Sequence, residues 1–304
     1  MHFSALVIGY GSIGKRHMEI LNKIDEINSL AVLSSKTELP FKTIKSLDKI
    51  LSYNPDYIVV ASPTSEHFQQ LKFITENVTD KKILIEKPLF ESYYDLDVGN
   101  NQVFVGYTLR SHPLMRLIKN KVKGKQLWFA NIFCGSFLPD WFPNKNYRES
   151  SSAKKSASGG VLLDVSHEFD YVQWLCGKII PEYVCNEKVS DLDIDTDDLL
   201  ILSGRTEGGA HLQISLNYFT RKPIRKIIID GKDISIHADL ITNTATIHEN
   251  GISSDYSWPN FIKNDMYITQ HKDILSDKTS WTCTYEEGKE TMGLIDIIRS
   301  LNNR

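Results

Sequence analysis

Short apolar runs alternate with helix-period stretches through the first third of the chain. Leu6 to Ile8 reads as a buried strand, Ile13 to Ile24 as a helix, Leu30 to Leu33 as a second strand and Thr43 to Tyr53 as a second helix. Tyr57 to Ala61 is a third strand, Ser65 to Asn77 a third helix, Lys82 to Ile85 a fourth strand and Val103 to Val105 a fifth. Strands alternating with helices predict βαβ units around a parallel sheet. Strands that are apolar without alternation are what a sheet covered on both faces requires.

Beyond about residue 110 the texture changes. Leu114 to Val122 reads as a helix. Short segments then follow at Trp128–Phe133, Pro181–Asn186, Leu199–Ser203, Ala210–Tyr218, Arg225–Asp230, Asp233–His237 and Thr242–His248. Turns such as Glu207-Gly208-Gly209 and Asp230-Gly231 join several of them, predicting an antiparallel sheet with hairpins. Met266 to Leu275 and Tyr285 to Leu301 read as closing helices. Ser150 to Ser158 is polar and is expected to be a flexible loop with few packing residues.

Composition narrows the class. In 304 residues, 41% are hydrophobic, enough for a sizeable core, so disorder is excluded as the main state. Lys+Arg 35 against Asp+Glu 38 leaves a net charge of -3, which argues against a nucleic-acid partner. No apolar run approaches the roughly 20 residues that span a bilayer, so no membrane partner is expected. The apolar stretch Ala5 to Ile8 is short, runs into glycines and has no basic n-region ahead of it, unlike a signal peptide. Cys134, Cys176, Cys185 and Cys283 are scattered and form no CxxC pair. A reducing cytoplasm fits that pattern, and a zinc site or disulfide framework does not.

Gly9-Tyr10-Gly11-Ser12-Ile13-Gly14 follows the first strand and opens the first helix. In that context a GxGxxG segment predicts dinucleotide binding: one glycine for the turn, one for close approach of a pyrophosphate, one for helix–strand packing. The helix N-terminus offers N–H groups to the phosphates. The second strand closes on Ser34-Ser35-Lys36, with no acid to grip a ribose 2′-hydroxyl. Two hydroxyls and a cation suit a 2′-phosphate, so the charge argument favours NADP over NAD. Glu86-Lys87-Pro88 ends the fourth strand, where open α/β sheets bind ligands, and Pro88 holds Lys87 extended and permits a cis bond.

Gly159 to Asp170 opens a further helix. Val165, Phe169, Val172 and Cys176 form an apolar stripe, and Asp164, His167, Tyr171 and Trp174 lie opposite, with Asp170 beside them. Asp164 and His167, three apart, are placed to hydrogen-bond one bound molecule or each other; a capping Asp and a solvated His is the plainer alternative. A metal held by Asp164, His167 and Asp170 is not expected, because the ligand set is thin. Asp193, Asp195, Asp197 and Asp198 lack the glycine and terminal glutamate of a calcium loop and read as an exposed acidic loop.

Together with ASPTSEH (Ala61 to His67), GYTLRSHP (Gly106 to Pro113) and TYEEGKETMGLIDIIRS near the C-terminus, these motifs resemble the Gfo/Idh/MocA family of NAD(P)-dependent oxidoreductases. The resemblance implies an α/β fold. A Rossmann doubly wound parallel sheet would occupy residues 1–110. A substrate-binding and oligomerisation domain, with a large, mostly antiparallel open sheet, would occupy 111–304, its C-terminal helix packing back near the first domain. It implies a dimer or tetramer through the open sheet, and a sugar, cyclitol or nucleotide-sugar substrate. By the same resemblance Lys87 contacts substrate and nicotinamide ribose, His167 is the active-site histidine and Asp164 its partner carboxylate. Ser62, Pro63, Thr64, His67 and Glu86 line the cofactor, with Gly9, Gly11, Ser12, Ile13 and Gly14 at the phosphates and Ser34, Ser35 and Lys36 at the adenosine ribose. Arg110, His112 and Asp170 are expected near the substrate. The family commonly spaces the Asp and His four apart, so Asp170 is an alternative partner to Asp164. The stretch from Phe137 through Trp141, Tyr147 and Arg148 resembles a subgroup associated with bacterial surface-sugar and nonulosonate gene clusters. Trp141 and Tyr147 offer flat faces for a sugar ring, and Arg148, Lys154 or Lys155 a charge for a carboxylate or phosphate.

The expected chemistry is hydride transfer coupled to proton transfer. An imidazole at His167, titrating near 6.5 when unperturbed, takes the hydroxyl proton, and the Lys87 cation stabilises the alkoxide or relays the proton. Two other classes fit the scaffold: a glycosidase that uses NAD transiently, and a non-catalytic NAD(P)- or ligand-binding regulatory protein.

Overall fold

Ala5 to Ile8, Tyr57 to Val60 and Ile83 to Ile85 are all buried, as strands covered on both faces must be. The computed structural model describes residues 2–141 and 143–302. The chain first lays down β1 (Phe3–Ile8), α1 (Ser12–Leu21), β2 (Ile27–Leu33), β3 (Lys42–Ile44), α2 (Lys49–Tyr53), β4 (Tyr57–Val60), α3 (Thr64–Asn77), β5 (Lys82–Ile85) and β6 (Gln102–Val105). Then come α4 (Pro113–Val122), β7 (Leu127–Gly135), α5 (Val161–Asp164), α6 (His167–Cys176), β8 (Ile179–Glu187), β9 (Leu199–Thr206) and β10 (His211–Asn217). The last elements are β11 (Ile224–Gly231), β12 (Ile234–Asp239), β13 (Thr244–Glu249), β14 (Ile252–Ser257), α7 (Lys263–Leu275), β15 (Cys283–Thr284) and α8 (Tyr285–Asn302). Two compact units result: the chain up to Ser111 with Ile262–Met292, and His112–Phe261 with the chain from Gly293 onward.

The first unit is built on a 7-stranded sheet in the order β15-β6-β5-β4-β1-β2-β3. β1 to β6 are parallel and β15 runs antiparallel to β6. The order reverses between β1 and β4, which opens a crevice at the carboxyl ends of those strands. Register aligns Ile8 with Val60, Val60 with Ile85 and Ile85 with Val105. The residues that follow each strand, Gly9, Ala61, Glu86 and Gly106, therefore come out along one sheet edge.

Thr43 to Tyr53 is not one helix. Thr43 and Ile44 pair with Val32 and Leu33 as edge strand β3, and helix is confined to Lys49–Tyr53. Pairing to a sheet edge overrides local periodicity there. The first helix also ends earlier than expected, at Leu21.

The second unit carries an 8-stranded sheet, β14-β13-β12-β11-β7-β10-β9-β8, antiparallel except for the β7–β10 pair. Alternate residues such as Leu200, Leu202, Leu212, Ile214, Ile227 and Ile229 are buried, while Arg205, Gln213, Lys226 and His237 are exposed. α5 and α6 pack against this sheet. β14 is absent from the expected strands; it is a largely polar edge strand paired only to β13.

Three local expectations are corrected. α6 has no solvated face: Glu168, Asp170, Tyr171 and Trp174 are buried along with Phe169 and Val172. The helix lies between α4 and strands β7 and β8, so both faces are covered. Ser150 to Ser158 is folded into 3₁₀ turns, with Ser152 and Ala153 buried. Thr196 Oγ1 donates to the Ser152 carbonyl, the Asp195 amide to the Ala153 carbonyl, and the Lys155 amide to Asp195 Oδ1, contacts that composition does not report. The acidic loop is likewise only partly exposed. Asp198 is buried, accepting hydrogen bonds from the Val189 and Ser190 amides and the Ser190 hydroxyl.

Candidate active site

In the first unit the turn from β1 into α1 is shaped by its glycines. Gly9 has φ +96°, and a Cβ there would lie 2.7 Å from the Ala61 carbonyl oxygen. A Cβ on Gly14 would lie 2.2 Å from the Gly9 carbonyl oxygen. Gly11 differs: a Cβ there meets nothing within 4 Å. Gly9 and Gly14 are thus required by packing, while Gly11 leaves open space over the helix end. No side chain caps α1 and its first turn holds no acid. The amides of Ser12, Ile13 and Gly14 have no intrahelical acceptor, so the cradle fits a pyrophosphate.

At the end of β2, Ser34 is buried and its Oγ accepts from the Lys36 amide at 3.1 Å. Ser35 and Lys36 are exposed. Lys36 Nζ donates to the Tyr10 carbonyl at 2.9 Å and lies 5.7 Å from the centre of the Tyr10 ring. Lys45 Nζ donates to the Lys36 carbonyl at 2.6 Å. Lys45 escaped notice in the sequence because its surroundings read as helix; as the residue after edge strand β3 it reaches the same corner.

Ser62 Oγ donates to Gln70 Oε1 at 2.6 Å, and Pro63 and Thr64 start α3. His67 is buried. Its Nε2 faces the Ser62 carbonyl at 3.1 Å, and its Nδ1 faces the Pro88 and Leu89 carbonyls at 3.1 and 3.2 Å. It ties the β4–α3 turn to the Lys87-Pro88 loop, and burial pulls its pKa down. The Lys87–Pro88 peptide is cis. Lys87 is half-buried, and its amide donates to Glu86 Oε2 at 3.2 Å. Arg110 is buried and pairs with Glu287 at 2.9 Å.

In the second unit, Asp164 ends α5 and His167 begins α6, so they flank a break rather than share one helix face. Tyr218, just beyond β10, donates its hydroxyl to Asp164 Oδ2 at 2.7 Å. Burial, then Asp164 itself, holds the Tyr218 phenol far above its usual pKa. The Trp141 ring meets Tyr218 edge-on with centroids 5.3 Å apart, and Trp141 Nε1 donates to Ser136 Oγ at 2.8 Å. Tyr218 thereby joins two residues singled out in the sequence, Trp141 and Asp164. Its own signal was that a buried tyrosine seeks a polar partner. Asp197 Oδ2 accepts from the Leu162 amide at 2.9 Å, anchoring the start of α5. Burial, with Asp164 nearby, raises the Asp197 pKa.

Asp170 is buried two residues after Glu168, which holds Arg225 in a two-pronged pair at 2.7 and 3.0 Å. Arg148 pairs with exposed Asp193 at 2.7 Å and stacks 4.9 Å from the Tyr147 ring, and the Asp193 amide donates to the Tyr147 hydroxyl. His112 caps α4: its Nδ1 accepts from the Leu114 amide at 3.1 Å, and its Nε2 lies 3.0 Å from Asn243 Oδ1.

Residues 3–98 match the model of an oxidoreductase family with an NAD-binding Rossmann fold, and residues 114–237 match the Gfo/Idh/MocA C-terminal domain. A 4-carboxy-2-hydroxymuconate-6-semialdehyde dehydrogenase of a Sphingobium strain is 23% identical over 77% of this chain and 79% of its own. The 2,7-anhydro-N-acetylneuraminate hydratase of Escherichia coli K12 is 27% identical over 81% of this chain and 70% of its own. Among solved structures, the WlbA dehydrogenase of Bordetella pertussis, in complex with NADH and UDP-GlcNAcA, superposes with TM-score 0.79 at 16% identity, covering 100% of this chain and 97% of that one.

Proposed function

The chain belongs to the Gfo/Idh/MocA oxidoreductase family, and from that premise we propose that it moves a hydride between NAD(P) and a hydroxyl or carbonyl carbon of a sugar, cyclitol or nucleotide sugar. The observation that carries the reading is the uncapped N-terminus of α1. It stands open beside Gly11 at the strand-order reversal, in register with the edge that bears Glu86 and Lys87. The sugar class draws on the E. coli and B. pertussis relatives, whose names carry a sialic-acid derivative and a nucleotide sugar. It draws also on the Trp141 ring beside Asp164 and Tyr218.

When bound, a nicotinamide cofactor would supply the hydride donor or acceptor. The Ser12, Ile13 and Gly14 amides would hold its pyrophosphate. Ser34, Ser35 and Lys36, with Lys45, would hold the adenosine ribose, where two cations and no acid favour NADP. In the oxidative direction a ring nitrogen of His167 takes the hydroxyl proton, and the Lys87 ammonium stabilises the oxygen as it loses that proton. Asp164, held by Tyr218, grips a hydroxyl or orients His167; Asp170 is the alternative. Lys87 and His167 are assigned from their motifs. A homo-oligomeric contact is proposed on the sheet of the second unit, where Trp128, Ile180 and Tyr183 are exposed. A cytoplasmic location is proposed from the scattered spacing of Cys134, Cys176, Cys185 and Cys283 in the sequence.

The test is titration with NADH and NADPH, read by tryptophan fluorescence, followed by turnover of UDP-N-acetylglucosamine, UDP-GlcNAcA, levoglucosan and myo-inositol. The expected result is tighter binding of NADPH and net cofactor oxidation or reduction with one member of the panel. Lys87→Met should abolish turnover and retain cofactor binding. Failure to bind either cofactor would overturn the proposal. Cofactor binding without hydride exchange would identify a ligand sensor, and product without net cofactor change a transient-redox enzyme.

A further inference from the structure

Behind the Lys87 loop lies a buried row of four titratable side chains drawn from three elements and the turn after β5. Glu86 Oε1 meets His17 Nε2 at 2.8 Å, His17 Nδ1 meets His271 Nε2 at 2.9 Å, and His271 Nδ1 meets the Tyr57 hydroxyl at 2.8 Å. His17 sits on α1, His271 on α7 and Tyr57 on β4, and His17, His271 and Tyr57 are fully buried. Glu86 follows β5, and its other oxygen accepts the Lys87 amide at 3.2 Å. Gly106 makes room for it: a Cβ there would stand 3.0 Å from the Glu86 carboxyl carbon.

With Glu86 ionised and both imidazoles neutral, the hydrogens of this row have one arrangement. A carboxylate only accepts, and a neutral imidazole has one N–H and one lone pair. His17 must therefore donate from Nε2 to Glu86 and accept at Nδ1. His271 must then donate from Nε2 and accept at Nδ1, where the Tyr57 O–H completes the row. Burial holds the His271 pKa well below its usual value, so it stays neutral. Burial also holds the Tyr57 phenol protonated. Each bond thus points toward Glu86. The row ties the helix that offers its N-terminus to phosphate to the carboxylate that holds the Lys87 backbone.

We propose that His17 and His271 are positioning residues for Lys87: through this one-way row they fix the rotamer of Glu86, and Glu86 fixes the Lys87 amide. The inference rests on the reading of Lys87 as a reaction-centre group. Its physical basis is that a small displacement of a group that must meet substrate costs up to about 100-fold in rate.

The full chain, ¹⁵N-labelled at histidine and lysine, tests it at pH 7.5. His17 and His271, assigned by substitution, should both show the tautomer with hydrogen on Nε2. A hydrogen on Nδ1 of either ring would overturn the proposal; the tautomers are read in the unsubstituted chain, and the variants serve only to assign the signals. His271→Phe removes the donor to His17. It should raise the Lys87 amide exchange rate about tenfold or more and lower kcat about 10- to 100-fold. KM for the cofactor should change less than about twofold, the pattern of a lost transition-state contact. His271→Gln keeps an N–H toward His17 and should restore both readouts. Unchanged Lys87 exchange in His271→Phe, or equal losses in the Phe and Gln variants, would overturn the proposal. Lys87→Met separates the two ideas. If that variant turns over normally, the role of Lys87 fails, while the tautomer and exchange results still judge the row. If it is inactive and His271→Phe keeps full kcat, the positioning role fails by itself.

Discussion

The Tyr218 hydroxyl donates to Asp164 Oδ2 across 2.7 Å, linking the end of a sheet strand to the residue that closes α5. Tyr218 is buried, so Asp164 has in it a donor that water does not replace. Tyr218→Phe should destabilise the protein by about 1–3 kcal/mol, measured by urea unfolding. On the proposed mechanism it should also lower kcat while leaving cofactor affinity unchanged. An effect on stability alone would remove Asp164 from the reaction.

The three motif glycines should separate cleanly. Gly14→Ala forces a Cβ to 2.2 Å from the Gly9 carbonyl oxygen, and overpacking of this kind costs about 1–3 kcal/mol. Gly11→Ala meets no atom within 4 Å and should leave the thermal midpoint unchanged. Its methyl would occupy the phosphate cradle, so NADH affinity should fall about tenfold, or about 1.4 kcal/mol. Unchanged affinity in Gly11→Ala would mean that no pyrophosphate approaches α1 there.

Cofactor selectivity is expected to reside at the end of β2. Lys36→Ala should weaken NADPH about tenfold and NADH by less than about twofold, because only the former carries a 2′-phosphate. Parallel fluorescence titrations check this. Equal losses for both cofactors would instead assign Lys36 to holding the Tyr10 carbonyl.

His67, His112 and His271 are buried, and burial holds each imidazole below its usual pKa. Below about pH 6.5 the unfolded chain takes up protons that the folded chain refuses. The stability present above that pH should therefore drain away as pH falls through 6 and 5. The limit is about 1.4 kcal/mol per pH unit for each histidine. Thermal midpoints across pH 5 to 7.5 read this directly. His271→Gln should flatten the slope, and an unchanged slope would show that His271 is not among the groups responsible.

Asp197 runs in the opposite direction. Burial raises its pKa, so its folded-state ionisation detracts from stability as pH rises above about 3.8, the range in which the unfolded carboxyl has already lost its proton. Relative to the parent, Asp197→Asn should be more favourable at pH 7 than at pH 4, with the side-chain oxygen still able to accept the Leu162 amide. A stability difference independent of pH would leave that carboxyl without the raised pKa.

Much was legible in the sequence because it is local. An uninterrupted apolar run must be covered on both faces, so Tyr57 to Val60 and Ile83 to Ile85 declared a parallel sheet. A glycine at φ +96° and a second one packed on its carbonyl leave the same trace wherever a strand turns into such a helix, and so the Gly9 to Gly14 segment declared its cradle. The family, the α/β fold and the oxidoreductase class followed from motifs of this kind in order. What the sequence could not hold is pairing across long separations. β3 was hidden because Thr43 and Ile44 become strand only by meeting Val32 and Leu33. Tyr218 is 54 residues from Asp164, and His271 is 254 from His17. Nothing in the local pattern marks those partners, since a buried hydroxyl or imidazole takes whatever polar atom the packing brings within reach. Periodicity decides which residues go inside; only the tertiary structure decides which of them meet.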